Sequence, residues 1–194
     1  VLTRLRANRS LVLSQQDAAG RYDFARGYFH RAGAVPSGQP AAARWRDASA
    51  EHRIPWRHRE NDVSDVDVQP LLPRFLSREG PALAAGDVDG DGRDDLYAGG
   101  AKWQPGALLF QQPDGSFRPR PQPAIAADSL AEDVDAALVD VDGDGDRDLV
   151  VASGGNEFAG DDEALRVRLY RNDGRGAFTR DVAALPPLAL TAGC

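Results

Sequence analysis

Two short runs of aspartate and glycine, which begin 53 residues apart, carry the clearest chemistry in this 194-residue chain. The first loop (residues 87–95) and the second loop (residues 140–148) both have aspartate at positions 1, 3, 5 and 9 and glycine at positions 4 and 6. Four carboxylates held within a few ångströms repel one another unless a cation lies between them. Calcium accepts about six to eight oxygens, which four carboxylates, the position 7 carbonyl and a water molecule can supply. The pattern therefore predicts two calcium sites.

The residues that flank each loop argue against an EF-hand or a dockerin. An EF-hand needs a bidentate glutamate at position 12 and then a helix, but position 12 is Ala98 in the first loop and Val151 in the second. Each loop is followed by a short apolar run that ends in a glycine pair, and each is preceded by small apolar residues. Such runs are typical of strands. We therefore predict that each loop joins two β-strands and that position 9 begins the second strand.

The repetition extends beyond the loops. Residues 106–117 and 167–178 both read as an apolar strand, an Asp-Gly turn and an outgoing strand that carries an aromatic residue. This pattern is typical of a hairpin, so each repeat has four strands. Four-stranded units that recur about every 40 to 50 residues indicate an all-β fold made of β-propeller blades, each a four-stranded antiparallel sheet.

The stretch Gly-Asp-Val-Asp-Gly-Asp-Gly-Arg-Asp-Asp-Leu-Tyr-Ala-Gly-Gly-Ala (86–101) resembles the FG-GAP repeat of integrin α-chain propellers and of bacterial VCBS-type proteins, and residues 139–155 are similar. In that family the loop binds calcium through positions 1, 3, 5 and 9 and the position 7 carbonyl. The ligands that the resemblance implies are Asp87, Asp89, Asp91, Arg93 (carbonyl) and Asp95 in the first loop, and Asp140, Asp142, Asp144, Asp146 (carbonyl) and Asp148 in the second.

Two departures from the integrin pattern favour the bacterial branch of the family. The chain has Gly-Gly-Ala-Lys at 99–102, where the integrin repeats often have Gly-Ala-Pro, and it lacks an obvious Phe-Gly pair.

The repeat length also predicts the domain organisation. At about 50 residues per blade, we expect a partial propeller of about two full blades and part of another, with a long irregular insertion. The predicted segments are the outer hairpin of a preceding blade (1–24), an insertion or inter-blade connection (25–78), two blades with calcium loops (79–125 and 126–182) and a link to another blade (183–194). The missing blades are expected from a longer parent chain or from a partner copy.

Charge and composition narrow the choice of partners. The first 60 residues carry eleven arginines and five acidic residues, whereas residues 61–194 carry twelve basic and 25 acidic residues. The arginines are scattered rather than grouped on one element, which argues against a nucleic-acid partner. No apolar run is long enough for membrane insertion.

The sole cysteine, Cys194, cannot form a disulfide within the chain, so stability must come from blade packing and metal binding. Weak calcium loops work at about millimolar calcium, so the predicted location is extracellular, on the cell surface or periplasmic.

Three other features have both a functional and a structural interpretation. His52 and His58, near Glu60, could form a metal or acid–base site, but their spacing matches no known ligand set and favours loop-anchoring roles. Trp103 could stack on a sugar, although packing against its own loop is favoured. The acidic run 161–163 is predicted to be a solvated loop, with a third ion site as the alternative.

No nucleophile–base pair and no catalytic zinc set is recognisable in the sequence, so we expect no catalytic residues and no enzyme activity. The favoured function is a calcium-binding propeller module that recognises a protein or glycan ligand, in interaction or adhesion. The alternatives are a lectin-like propeller and the propeller part of a secreted enzyme. Calcium is expected to be structural.

Overall fold

The computed structural model describes residues 47–72, 76–78 and 80–185, together with the backbone of two short strands near the start of the chain. These strands, β1 (Arg21–Asp23) and β2 (Tyr28–His30), form an antiparallel hairpin within a first unit, residues 1–47. This hairpin crosses the boundary predicted between residues 24 and 25. Most of the hairpin predicted at 11–22 and most of the link predicted at 183–194 lie outside the described residues.

The second unit, residues 48–194, contains two four-stranded antiparallel sheets. In the first sheet, neighbouring strands follow one another along the chain, and the strands are β3 (Leu83–Gly86), β4 (Asp95–Ala98), β5 (Ala107–Gln111) and β6 (Phe117–Pro119). The first loop joins β3 to β4, as predicted from its apolar flanks. Asp95, at position 9, is the first residue of β4.

The second sheet repeats this order with longer inner strands. Its strands are β7 (Glu132–Val139), β8 (Asp148–Gly154), β9 (Arg168–Asn172) and β10 (Phe178–Arg180). The second loop joins β7 to β8, and its position 9 aspartate begins β8. The two predicted four-stranded sheets are therefore confirmed, and each meander places its aspartate loop between its first and second strands.

The Asp-Gly turns predicted in the outer hairpins are also confirmed. Gly115 and Gly174 have φ of 76° and 73°, a conformation that favours glycine. The aspartate before each glycine accepts backbone N–H hydrogen bonds from residues that follow the turn, such as Ser116 to Asp114 at 3.0 Å. This local bonding explains why the turns could be recognised without knowledge of tertiary contacts.

Helices are few and short in the described part of the chain. They are α1 (Asp65–Val68), α2 (Pro123–Ala127), which links the sheets, and a single 3₁₀ turn (Glu163–Leu165) between β8 and β9. The all-β class is therefore confirmed. None of the described helices has the length and apolar character needed to cross a membrane.

The apolar core lies between the two sheets. It is built mainly from strand residues, with Val88 from the first loop and Ile125 from α2. The cluster comprises Val88, Tyr97, Leu108, Phe110, Ile125, Leu149, Val151, Tyr170 and Phe178. Since the cluster draws on both repeats, each sheet buries its apolar face against the other, which is typical of repeat proteins.

A buried polar group also joins the sheets. Asp133 on β7 is 2% exposed, forms an ion pair with Arg168 on β9, and accepts hydrogen bonds from the Tyr97 hydroxyl and the Gly100 amide, both at 2.8 Å. Tyr97 and Gly100 belong to the first repeat. Asp133 therefore connects the two sheets through buried polar contacts.

Candidate metal centres

The aspartate loops occupy equivalent places in the two sheets. Strand pairing continues to the base of each loop, where Gly86 pairs with Asp95 and Val139 pairs with Asp148. The intervening residues must therefore reverse the chain between two adjacent strand ends. This fixed base brings position 9 back beside position 1.

The position 1 aspartates organise the backbone of each loop. Asp87 accepts N–H hydrogen bonds from the residues at positions 4 and 6, both at 2.8 Å, and from Asp91 at 3.2 Å. Asp140 accepts the equivalent bonds from positions 4 and 6 at 2.7 and 3.1 Å. The four glycines at these positions have φ between 75° and 95°, which other residues rarely adopt. The glycine spacing is thus required by the loop conformation.

These amides also influence the ionisation of the position 1 aspartate. Burial acts to raise the pKa of Asp87, but the backbone amides of Gly92, Gly90 and Asp91 outweigh it, so the pKa is lowered. Asp87 is therefore held as a carboxylate, the form that a calcium ligand requires.

The position 9 aspartates anchor the loops to the sheets. Asp95 is fully buried and accepts N–H hydrogen bonds from Val88 at 3.2 Å and from Gln111 on β5 at 2.8 Å. In the second loop, Asp148 accepts from Val141 at 3.2 Å and from Asn172 on β9 at 2.9 Å. Each position 9 carboxylate thus connects its own loop to the third strand of the same sheet.

Three of the four predicted carboxylates come together in each loop. In both loops, one oxygen from each of positions 1, 3 and 9 lies within 4.8 Å of the others, as Asp87, Asp89 and Asp95 and as Asp140, Asp142 and Asp148. Asp89 Oδ1 is buried and has no hydrogen-bond partner. These oxygens are hard donors of the kind that calcium selects, so the residues present fit a calcium ion.

The residues at positions 5 and 7 lie outside these two clusters. Asp91 forms an ion pair with Arg93, whose Nε also donates to the Gln111 carbonyl at 3.2 Å. Asp144 accepts a hydrogen bond from the amide of Asp146 at 2.9 Å. Ligation by positions 5 and 7 therefore stays a prediction for both loops.

Arginine side chains contact the clustered carboxylates. Arg171 Nη1 lies 3.0 Å from Asp142 Oδ2 and 3.2 Å from Asp148 Oδ2, and Arg120 Nη2 lies 2.5 Å from Asp89 Oδ2. Each guanidinium comes from outside the loop that it contacts. Both carboxylate clusters therefore have a positively charged guanidinium beside them, as expected where carboxylates converge.

Ionisation of two other loop aspartates is less favourable than in water. Burial raises the pKa of Asp95, and the neighbouring Asp89 and Asp91 raise it further despite the hydrogen-bonding amides. The pKa of Asp146 is likewise raised, by burial and then by the other aspartates of the second loop. A divalent cation would favour the ionised forms and so relieve this electrostatic strain.

A third cluster was not predicted from the sequence. One ligand atom from each of His58, Glu60 and Glu132 lies within 4.8 Å of the others. His58 and Glu60 were candidates from the sequence, with an anchoring role favoured for the histidine, and Glu132 was not among the candidates, because nothing local relates residues 74 positions apart. The usable signal was the i, i+2 spacing of His58 and Glu60, which places both side chains on one side of an extended segment.

The remaining candidates have separate outcomes. His52 has the anchoring role that was favoured, since its Nδ1 lies 2.8 Å from the Gly115 carbonyl oxygen. Trp103 is 67% exposed, so the favoured packing against its own loop is wrong. In the run 161–163, Asp162 accepts from the Ala164 amide at 2.9 Å and caps the 3₁₀ turn. Among the described residues, this run belongs to no potential metal cluster.

Comparison with known families supports the repeat assignment. Residues 87–151, which include both aspartate loops, match the family of FG-GAP-like repeats. No curated protein sequence matches the chain at a significant level. The resemblance inferred from the loop pattern is therefore confirmed for this part of the chain.

Proposed function

We propose, from the FG-GAP-like repeat at residues 87–151, that this chain is a calcium-binding β-propeller module. Its two sheets are two adjacent blades, and each aspartate loop binds one structural calcium ion. The whole protein uses this propeller for non-catalytic recognition of a protein or glycan, outside the cytoplasm.

The observation that carries this proposal is the duplicated carboxylate cluster. Positions 1, 3 and 9 converge in both loops, although the loops belong to different sheets. Calcium would bind to these oxygens, with positions 5 and 7 completing the ligand set that the family implies. Bound calcium supplies positive charge at the point where the carboxylates repel one another. An ion with no affinity for the unfolded chain stabilises the folded state by mass action.

The blade assignment is supported by incomplete burial of the innermost strands. Leu83 on β3 is 67% exposed and Val139 on β7 is 43% exposed. Propellers place the first strand of each blade at the central channel and commonly close with four to eight blades. Further blades, from the parent chain or from a partner copy, would cover these side chains.

We expect calcium to raise the melting temperature of the protein. At free calcium about 100 times the Kd, each site would contribute about 2.7 kcal/mol. For a unit of this size, that corresponds to roughly 5–10 °C per site. The measurement is thermal unfolding followed by circular dichroism, with calcium and with excess chelator.

A magnesium titration at the same ionic strength is the control, because magnesium requires a stricter octahedral geometry and retains its water. An unchanged melting temperature on chelation, together with no calcium binding by calorimetry, would disprove the calcium proposal. It would leave the family assignment intact.

We also expect the two loops to bind calcium separately. Replacing Asp140 with alanine removes a proposed ligand and the acceptor of two loop amides. It should abolish the second site and change the affinity of the first by less than about threefold, since each loop is one contiguous segment. Calorimetry of Asp140→Ala should give one calcium per chain, and Asp87→Ala is the reciprocal variant. Loss of both ions in either variant would show that the sites are coupled.

The nature of the partner requires a separate experiment on the full-length protein. A glycan ligand is the second candidate because Trp103 presents an exposed ring, and the Lys102 ammonium lies 5.0 Å from its centroid. Exposed aromatic rings are suitable for stacking on apolar sugar faces. A glycan array separates this candidate from protein recognition, and a pulldown against surface proteins tests the alternative. Activity lost on mutation of a channel residue would instead indicate an enzyme.

A further inference from the structure

The third cluster connects two parts of the second unit. His58 and Glu60 lie in an extended segment before the first sheet, and Glu132 is the first residue of β7. His58 Nε2 is 2.7 Å from Glu60 Oε1. The Glu132 side chain completes a group in which one ligand atom from each residue lies within 4.8 Å of the others.

Contacts outside the cluster fix the position of this segment. The amide of Arg59 donates to Gln104 Oε1 at 2.6 Å, and Gln104 Nε2 donates to the Arg57 carbonyl at 2.8 Å. Asn61 Nδ2 donates to Glu157 Oε1 at 2.7 Å. Gln104 and Glu157 belong to different repeats. Backbone and side-chain bonds therefore present His58 and Glu60 to β7 independently of the cluster itself.

Two atoms of the cluster are buried and have no hydrogen-bond partner. Glu132 is 4% exposed, its Oε2 accepts from the Lys102 amide at 3.3 Å, and its Oε1 has no partner. His58 Nδ1 is also buried without a partner. Buried polar groups are nearly always satisfied. The unpartnered carboxylate oxygen of Glu132 therefore points to a ligand.

The neighbouring Glu157 has a positively charged partner, Lys102. The Glu157 side chain is 7% exposed, and its Oε1 accepts from Lys102 Nζ at 3.2 Å and from Asn61. Lys102 Nζ in addition lies 4.6 Å from the centroid of the Phe158 ring. The positively charged Lys102 Nζ therefore lies beside Glu157 and the aromatic rings.

We propose that His58, Glu60 and Glu132 bind a divalent zinc-type ion. One imidazole and two carboxylates are a ligand set suited to Zn²⁺, whereas calcium prefers oxygen donors alone. Two ligands of a tetrahedral zinc ion lie about 3.3 Å apart, so a modest separation of His58 from Glu60 admits the ion. The metal takes the place of the proton on His58 Nε2, and the neutral imidazole then carries its proton on Nδ1.

The ion would link the segment 57–61 to the second sheet. Since the Glu60 side chain is 29% exposed, the cluster is accessible from solvent on that side. A fourth position is left for water, because the chain supplies three ligands. The attachment of the segment before the first sheet would then depend on zinc, whereas the aspartate loops depend on calcium.

The test is a zinc titration of the untagged, chelator-treated chain by calorimetry, with calcium present at a level that saturates the aspartate loops. We expect one zinc ion per chain. Glu60→Gln, His58→Gln and Glu132→Gln should each weaken zinc binding by more than about 100-fold, because loss of an outer-sphere partner already costs 10- to 100-fold. Calcium binding by Glu60→Gln, at the most exposed ligand, would show that this variant is folded.

His52→Gln is the matched control, since it removes a histidine outside the cluster and should leave zinc affinity unchanged. Asp140→Ala should lose one calcium and keep the zinc. Absence of zinc binding by the unmodified chain would overturn the proposal, as would retention of full affinity by both His58→Gln and Glu60→Gln. A folded Glu132→Gln variant with unchanged zinc affinity would exclude Glu132 as a ligand and overturn the three-residue site.

Discussion

Replacing Asp133 with alanine is expected to destabilise the second unit by about 3–5 kcal/mol, the usual cost of removing one partner from a buried ion pair. Arg168 is 3% exposed and pairs with Asp133. Burial acts to lower the pKa of Arg168, and Asp133 more than reverses this effect. Without Asp133, the guanidinium would remain buried and charged, and Tyr97 and Gly100 would lose their acceptor.

The measurement is urea unfolding with calcium and with chelator, since the loss should be similar in both. Asp135→Ala is the matched control, because Asp135 lies on the same strand but is exposed, and it should unfold like the unmodified protein. The double variant Asp133→Ala/Arg168→Met should recover part of the loss, because it removes the unpaired charge. A loss below about 1 kcal/mol in Asp133→Ala would contradict the role inferred for this ion pair.

Replacing Asp95 with alanine is expected to cost about 2–4 kcal/mol even in excess chelator, since hydrogen bonds to charged groups contribute about 1.5–3 kcal/mol each and are not additive. The substitution leaves the amides of Val88 and Gln111 without their carboxylate acceptor. Position 9 thus stabilises the fold through the sheet as well as through any bound ion. Chemical denaturation of the chelated protein measures the first contribution, and calcium calorimetry measures the second.

Asp91→Ala is the control within the same loop. Asp91 lies at position 5 and contacts Arg93 within the loop, so in chelator this variant should be close to the unmodified protein. With calcium it should lose affinity at the first site. Equal stability of Asp95→Ala and Asp91→Ala in chelator would show that position 9 has no separate anchoring role. Asp148→Ala is expected to repeat the behaviour of Asp95→Ala, because its carboxylate accepts two equivalent amides.

The loops and strands could be predicted from the sequence because the interactions that form them are local. The position 1 aspartates bond to amides three and five residues later, and the glycines adopt a φ that other residues rarely take. Asp114 and Asp173 bond to their own turns. Apolar runs between such turns are then long enough only for short strands. Within the described residues, these local signals correctly placed both four-stranded sheets.

Within each candidate calcium site, sequence and structure agree only in part. Spacing alone assigned four carboxylates to each site, and the structure gathers those at positions 1, 3 and 9. The side chain at position 5 is directed by its neighbours, since Asp91 pairs with Arg93 and Asp144 accepts an amide two residues later. Spacing defines which residues can reach a common point, and the tertiary structure shows which of them do so.

What the sequence determined by itself was the repeated unit: an aspartate loop between two strands, followed by a hairpin. Only the tertiary structure showed how the repeats meet, through the hydrogen bonds of Tyr97 and Gly100 to Asp133, and that His58 and Glu60 lie beside Glu132. The physical reason is the range of the interactions. Backbone bonding within a loop leaves a fixed spacing in the chain, whereas contacts between residues 36 or 74 positions apart depend on how the sheets pack and leave no local pattern.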